Sequence, residues 1–240
     1  MTSFTRSAKT FIIQIISSIL HYFPSKPLLI FLLILDNWFY YLQGQTAIAY
    51  GNGLHPKHRL TGYHDFFINR IQYEERVLDV GCGFGYLAYD VAEKTGAFVL
   101  GVDINPDNIS QAINQFSHPN IRYQVADIQK FLQEEHFDVI ILSNVLEHLP
   151  NRPKFLRIMQ TNFGPSKLLI RVPLFEHDWR VPLKRELGID WRLDPTHEIE
   201  YTPESFNAEM VQAGMEVIYK VIRWGEIWAE VQSSHNNSDI

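Results

Sequence analysis

The strongest constraint on this 240-residue chain is one stretch, Val77-Leu78-Asp79-Val80-Gly81-Cys82-Gly83-Phe84-Gly85. An apolar run containing an acidic residue breaks into glycine at every second position. A helical pattern, Tyr86 to Lys94, follows at once. The pattern predicts a buried strand, a tight turn and a helix N-terminus in succession. Glycine is needed where backbone must bend sharply and approach a ligand without a Cβ in the way. The helix start adds unpaired N–H groups and a positive dipole end. Such a turn is suited to a small polar ligand.

The spacing narrows the ligand. In a dinucleotide fingerprint, G-x-G-x-x-G, Gly81 and Gly83 fit, but the third glycine falls on Tyr86 and Gly85 comes one residue early. A phosphate loop is absent, because no Lys follows the glycines. What remains is D-x-G-x-G-x-G. The next apolar run, Ala97 to Val102, ends at Asp103. An acidic side chain at that strand end can accept both hydroxyls of a ribose; its alternative role is to cap the helix from Asn105 onward. Ile121 to Ala126 then leads into Asp127-Ile128. His136 to Asn144 reads as a fourth strand, followed by Val145-Leu146-Glu147-His148-Leu149-Pro150.

These motifs, in order over residues 77 to 150, resemble those of the class I S-adenosylmethionine-dependent methyltransferases. The resemblance implies an α/β fold: a Rossmann-like, doubly wound, mostly parallel seven-stranded sheet, here with an added N-terminal apolar helical region. It implies S-adenosylmethionine as cofactor, cradled by Asp79, Gly81, Gly83 and Gly85, with Asp103 and Ile104 at the ribose. By the same resemblance Asp127 meets the adenine amino group, the Ile128 N–H meets the ring, and Asn144 stands at the pocket mouth. The E-H-L-P pattern and the apolar flank resemble quinone and small-molecule O-methyltransferases. The expected acceptor is a small molecule, lipid, quinone or saccharide, lipid-linked or free. The alternative is a catalytically silent scaffold that binds the cofactor and anchors a membrane complex. Tyr86 argues against a nicotinamide-binding oxidoreductase.

Composition agrees with this class. The length suffices for one α/β domain with additions, and 46% apolar content is ordinary for a globular protein. A formal net charge of −6 without a basic tract argues against nucleic acid as partner. Cys82 is the lone cysteine, which excludes an intrachain disulfide and suits a reducing cytoplasm. Within the glycine turn it reads as a packing residue.

Residues 11–43 stand apart, with apolar segments Phe11–Phe23 and Leu28–Leu35 and an aromatic cluster Trp38-Phe39-Tyr40-Tyr41. Pro24, Lys26 and Pro27 interrupt them, and neither segment reaches the ~20 apolar residues of a membrane span. Two short helices are expected, lying against the inner face of a membrane with the aromatic residues at headgroup level. The alternative is that they pack on the domain or on a second subunit; oligomeric state stays open. The expected division is 1–45 for this region, 46–232 for the methyltransferase domain, and 233–240 for a polar, disordered tail.

Between the two lie His55, Lys57, His58, Arg59 and His64. In the resembled enzymes this segment folds over the cofactor, so Lys57, His58 or Arg59 is a candidate for an anionic group; a solvated basic loop is the alternative. No Cys or acidic cluster completes a metal-ligand spacing with the histidines, and no metal is expected. Beyond the fourth motif, the chain predicts a helix over 153–162, a strand over 167–172, and an irregular lid over 173–197. A helix capped by Thr202 and stopped by Gly214 follows, then an antiparallel pair. A hydroxyl acceptor needs a base. His148 is the leading candidate, His177 and His197 the next.

Overall fold

The computed structural model describes residues 10, 11, 14, 18, 20–130, 135–192 and 194–234. The expected disordered tail falls on 233–240, of which 235–240 lie outside the described residues, as does much of the first apolar segment. The described residues divide into two compact units. One comprises 1–56 with 180–191, the other 57–179 with 192–240.

The larger unit is a seven-stranded sheet in the order β3-β2-β1-β4-β5-β7-β6. Its strands are β1 (Arg76–Val80), β2 (Phe98–Asp103), β3 (Ile121–Val125), β4 (Val139–Ser143), β5 (Lys167–Pro173), β6 (Met215–Arg223) and β7 (Glu226–Ser233). The first five are parallel; β7 inserts antiparallel between β5 and β6. The central strands β1 and β4 are covered on both faces, which is why they read as near-continuous apolar runs. Alternation splits them cleanly. Leu78, Val80, Ile140 and Leu142 face one core with Leu146, Phe155 and Met159. Val77, Val139 and Ile141 face the other with Phe67, Leu87 and Val91.

The chain runs outward from β1 to β3, then returns to lay β4 on the other side of β1. The crevice between the carboxyl ends of β1 and β4 is therefore a topological switch point, where open α/β sheets bind ligands. Around the sheet lie α2 (Lys57–Thr61), α3 (Tyr63–Ile68), α4 (Tyr86–Thr95), α5 (Pro106–Gln115), α6 (Arg152–Phe163) and α8 (Pro203–Gln212). The last starts with a capping box in which Thr202 and Ser205 each satisfy the other's backbone N–H.

The smaller unit holds α1 (Ser25–Tyr50) and α7 (Arg180–Glu186). Where a second short helix was expected, α1 is continuous for 26 residues. Pro24 and Pro27 mark its start rather than a break, because the first turn has no intrahelical use for its N–H groups. The same reason explains α7, which replaces part of the expected irregular lid: Pro182 sits in its first turn. Asp36 of α1 pairs with Arg180 at 2.6 Å and Lys184 at 2.8 Å, tying the N-terminal helix to the distant α7. No helix among the described residues is long and apolar enough to cross a membrane.

Candidate functional site

A cleft of about 300 Å³ opens at the switch point. Its walls come from the ends of four strands: Gly81 after β1, Asp103 at the end of β2 with Ile104 after it, Asp127 and Ile128 after β3, Asn144 and His148 after β4. A second cleft of about 200 Å³ lies at the opposite ends of the strands, around Arg76, Phe98 and Arg122. Ligand sites in such sheets form at the carboxyl ends, so the first cleft is the candidate.

The glycine turn is built as the spacing requires. Gly81, Gly83 and Gly85 all have positive φ, at 65°, 55° and 84°. At Gly85 a Cβ would come 2.6 Å from the Tyr123 hydroxyl, so only glycine lets α4 start there. At Gly83 a Cβ would meet nothing within 4 Å, which leaves its backbone open for close approach. Cys82 is buried, and burial raises its thiol pKa, in keeping with a packing role.

Asp103 braces this turn. One carboxylate oxygen accepts the Gly83 N–H at 2.9 Å, and the other accepts the Asn105 N–H at 2.8 Å and the Asn108 amide at 3.1 Å. The cap of α5 is Asn105 itself, which accepts from the Asp107 N–H. Asp127 is half-buried and held by the Gln129 N–H and Lys130, which keeps its carboxyl below the usual range. Asn144 adopts a left-handed φ of 58°, a conformation Asn tolerates better than most residues.

Two buried polar atoms here accept no hydrogen bond from the described residues: Asp79 Oδ2 and Asn144 Oδ1. Burial, with the Asp103 charge added, pushes Asp79 up to about 8. Two neighbouring carboxylates and an open glycine backbone fit a ligand that brings cations and hydroxyls together.

The Glu147–His148 side of the cleft shows what sequence spacing concealed. The turn Leu146–His148 buries Glu147 completely, and His197 packs edge-on against His148 with ring centroids 4.7 Å apart. Burial pushes Glu147 up to about 7, against the pull of its own backbone N–H, His197 and Arg171. His177, by contrast, is turned into its own loop, bonded to the Leu174 carbonyl at 2.7 Å. His58 and His64 meet each other: His64 bonds to Asp90 at 2.7 Å and to His58 at 3.0 Å, and the Tyr63 hydroxyl stands 2.9 Å from His58. His55 belongs to the smaller unit.

Residues 71–186 match a family model described as a methyltransferase domain. Two ubiquinone biosynthesis O-methyltransferases are similar in sequence. That of Bradyrhizobium diazoefficiens is 30% identical over 129 residues, covering 51% of this chain and 50% of that protein. That of Agrobacterium fabrum is 32% identical over 158 residues, covering 60% and 61%. Residues 71–186 form a class I S-adenosylmethionine-dependent methyltransferase domain. S-adenosylmethionine is therefore its cofactor. The chain spans about half the length of the curated relatives it matches. The magnesium protoporphyrin IX methyltransferase of Synechocystis, solved with bound S-adenosylhomocysteine, shares the fold. It has a TM-score of 0.57 at 15% identity, over 74% of this chain and 83% of that one.

Proposed function

We propose that this methyltransferase methylates a hydroxyl on a small ring acceptor of the quinone-precursor type. The supporting observation is that the donor cleft and the Glu147–His148 turn share one wall, His148. The similarity to ubiquinone biosynthesis O-methyltransferases points the same way. When bound, S-adenosylmethionine supplies a methyl group already activated on a sulfonium.

The chain's own residues then have three tasks. Asp79 and Asp103 favour a cationic ligand, because a positive neighbour can replace the proton that otherwise relieves the repulsion between the two carboxyl groups. The open backbone at Gly83 and the ends of β2 and β3, at Ile104, Asp127 and Ile128, hold the nucleoside part. Orientation of this kind can supply about 7–11 kcal/mol of the barrier reduction. The Thr196 hydroxyl gives its proton to Asp194 Oδ1 at 2.7 Å, so it accepts one from His148 Nδ1, 2.9 Å away. Its Nε2 lone pair is thereby kept at the cleft for a proton or a cation, and either use eases loss of the acceptor's hydroxyl proton.

The aromatic band of α1 supports a second part of the proposal, contact of the smaller unit with a membrane surface. Trp38, Phe39, Tyr40 and Tyr41 are all exposed on this helix, and such residues settle at headgroup level. Titration of the full chain with S-adenosylmethionine, followed by transfer of a labelled methyl to phenolic quinone precursors, tests the reaction. Binding without transfer to any phenol would overturn the acceptor class. Cosedimentation with anionic lipid vesicles tests the membrane part; a chain left wholly in the supernatant would refute it.

A further inference from the structure

Four titratable side chains beside the glycine turn form one continuous hydrogen-bonded chain. Asp90 Oδ2 of α4 lies 2.7 Å from His64 Nδ1, and His64 Nε2 lies 3.0 Å from His58 Nδ1. The Tyr63 hydroxyl stands 2.9 Å from that same His58 nitrogen. Asp90 is at the surface, 30% exposed by side chain and paired with Lys94, whereas His64 and Tyr63 are buried. The chain therefore leads from solvent inward. Its inner members touch both sides of the switch point. The His58 ring lies 5.6 Å from that of Tyr86, the residue after Gly85. The Arg171 guanidinium covers the Tyr63 ring at 4.0 Å and donates to Ser143 Oγ, at the end of β4, at 3.3 Å.

Hydrogen-bond chemistry fixes where the protons sit. The Asp90 carboxylate accepts, so His64 Nδ1 carries a proton. Burial holds His64 below its usual value against the pull of Asp90, which leaves the ring neutral at pH 7 with a lone pair on Nε2. His58 Nδ1 must then donate, and His58 Nε2 holds the lone pair of that ring. A proton taken up on Nε2 lets Nδ1 pass its own proton to His64. The added charge then rests beside Asp90, and the bond between the rings survives with its direction reversed. The Tyr63 hydroxyl, an acceptor before the transfer, becomes a donor after it. His148 is less suited to gaining charge. Burial and the charge of His197 hold it below its usual value, and its ring packs against that of His197.

We propose that His58 takes the proton of the acceptor's hydroxyl, with His64 and Asp90 as the positioning pair that carries the charge to the surface. This rests on the hydroxyl-acceptor reading above. As the acceptor oxygen bonds to the methyl carbon, the carbon–sulfur bond breaks and its electron pair stays on sulfur. The hydroxyl proton goes to His58 Nε2, and the Nδ1 proton goes to His64 Nε2. The positive charge lost at sulfur reappears next to the Asp90 carboxylate, from where the proton leaves to water. His148 then orients the hydroxyl through its own Nε2.

Two measurements on the full chain test this. Nitrogen NMR of the histidine rings, without cofactor, reports which nitrogen of each is protonated. Near pH 8 both His58 and His64 should be protonated at Nδ1. On acidification the His58 proton should move to Nε2 in the same step that charges His64. Separate steps, or an Nε2-protonated His58 near pH 8, overturn the proposal whatever the acceptor. In the methyl-transfer assay, His58→Gln should lower kcat by about 10²–10⁴-fold. Asp90→Asn should move the acid limb of the kcat profile to lower pH by about one unit, a shift that a merely structural residue does not give. Circular dichroism checks that each variant folds. A loss in His58→Gln confined to S-adenosylmethionine affinity, or an unmoved acid limb in Asp90→Asn, overturns the proposal. Transfer to no phenol by the native chain would instead overturn the hydroxyl-acceptor reading, while the NMR titration still decides whether the relay exists.

Discussion

The two sides of the cleft are made differently. The proposed donor side is a backbone device: glycines at fixed spacing, strand ends in a fixed order, and one carboxylate bracing a turn on the adjacent strand. The acceptor side is a side-chain device, in which Glu147 and His148 meet Thr196, His197 and Glu200 across a long excursion of the chain. A backbone device tolerates little change at any of its few positions. A side-chain device can be retuned one residue at a time. Variants that separate stability from binding put this contrast to the test.

The largest effect is expected at Gly85. Gly85→Val combines about 1–2 kcal/mol of left-handed strain with about 1–3 kcal/mol of overpacking against Tyr123. Denaturant unfolding should show most of that loss. Gly83→Ala is the control on the same turn, since its Cβ meets nothing. It should cost only the ~1–2 kcal/mol of strain in stability, yet weaken the cofactor by tenfold or more. Equal stability losses at the two glycines would break the distinction between a packed and an open turn position. Asp103→Ala comes next. It removes charge-assisted bonds to Gly83 and Asn105, each worth about 1.5–3 kcal/mol, so calorimetry should show cofactor affinity falling at least tenfold. Unchanged affinity would mean that the turn holds its shape without the brace.

Asp79 gives a pH signature. Its carboxyl is raised to about 8 in the fold and titrates near 3.9 in an unfolded chain. Between those values the folded chain holds a proton that the unfolded chain has lost. Stability of the cofactor-free protein therefore falls as pH rises from about 4 to 8, by at most ~1.4 kcal/mol per pH unit from this group. Asp79→Asn should flatten that slope. The same linkage requires a cationic cofactor to bind more tightly as pH rises toward 8, with proton release. Heats of binding independent of buffer ionisation enthalpy would refute it.

Most of the donor side was legible in sequence for a physical reason. A tight turn between strand and helix has few solutions, so Asp79, Gly81, Gly83, Gly85 and Asp103 occupy positions that residue type alone identifies. The role of Asp103 was only half legible. Its acidic type suggested a ribose partner, but its bonds to Gly83 and Asn108 depend on how two strand ends lie together. On the acceptor side, His148 stood out beside its strand. Glu147 did not, because nothing in E-H-L-P tells that the glutamate turns inward. His197 gains meaning only once β4 and the segment after α7 are neighbours, a contact no local periodicity encodes. The one available signal was a second histidine in an otherwise irregular stretch. Likewise Pro182 reads as a helix breaker until the helix start at Arg180 is known. The pairing of α7 with α1 was invisible because Asp36 lies far from Arg180 and Lys184 in sequence.

That pairing supplies the smallest and most discriminating expectation. Arg180 and Asp36 are both partly exposed, 40% and 33% by side chain, whereas Lys184 is 10% exposed and bonds both Asp36 and Asn37. An exposed ion pair contributes about 0–1 kcal/mol and is screened by salt. Losing one partner of a buried bonded cation leaves the other unsatisfied, at about 1–3 kcal/mol. Arg180→Ala should thus shift hydrogen exchange of the α7 amides by a factor of a few at low salt and by nothing near 1 M. Asp36→Ala should speed the same amides further, and the excess should persist in salt because the buried Lys184 has lost an acceptor. If both variants behave alike and both effects vanish in salt, α7 is held only by surface charge. The smaller unit would then be a loose association of helices rather than a packed one.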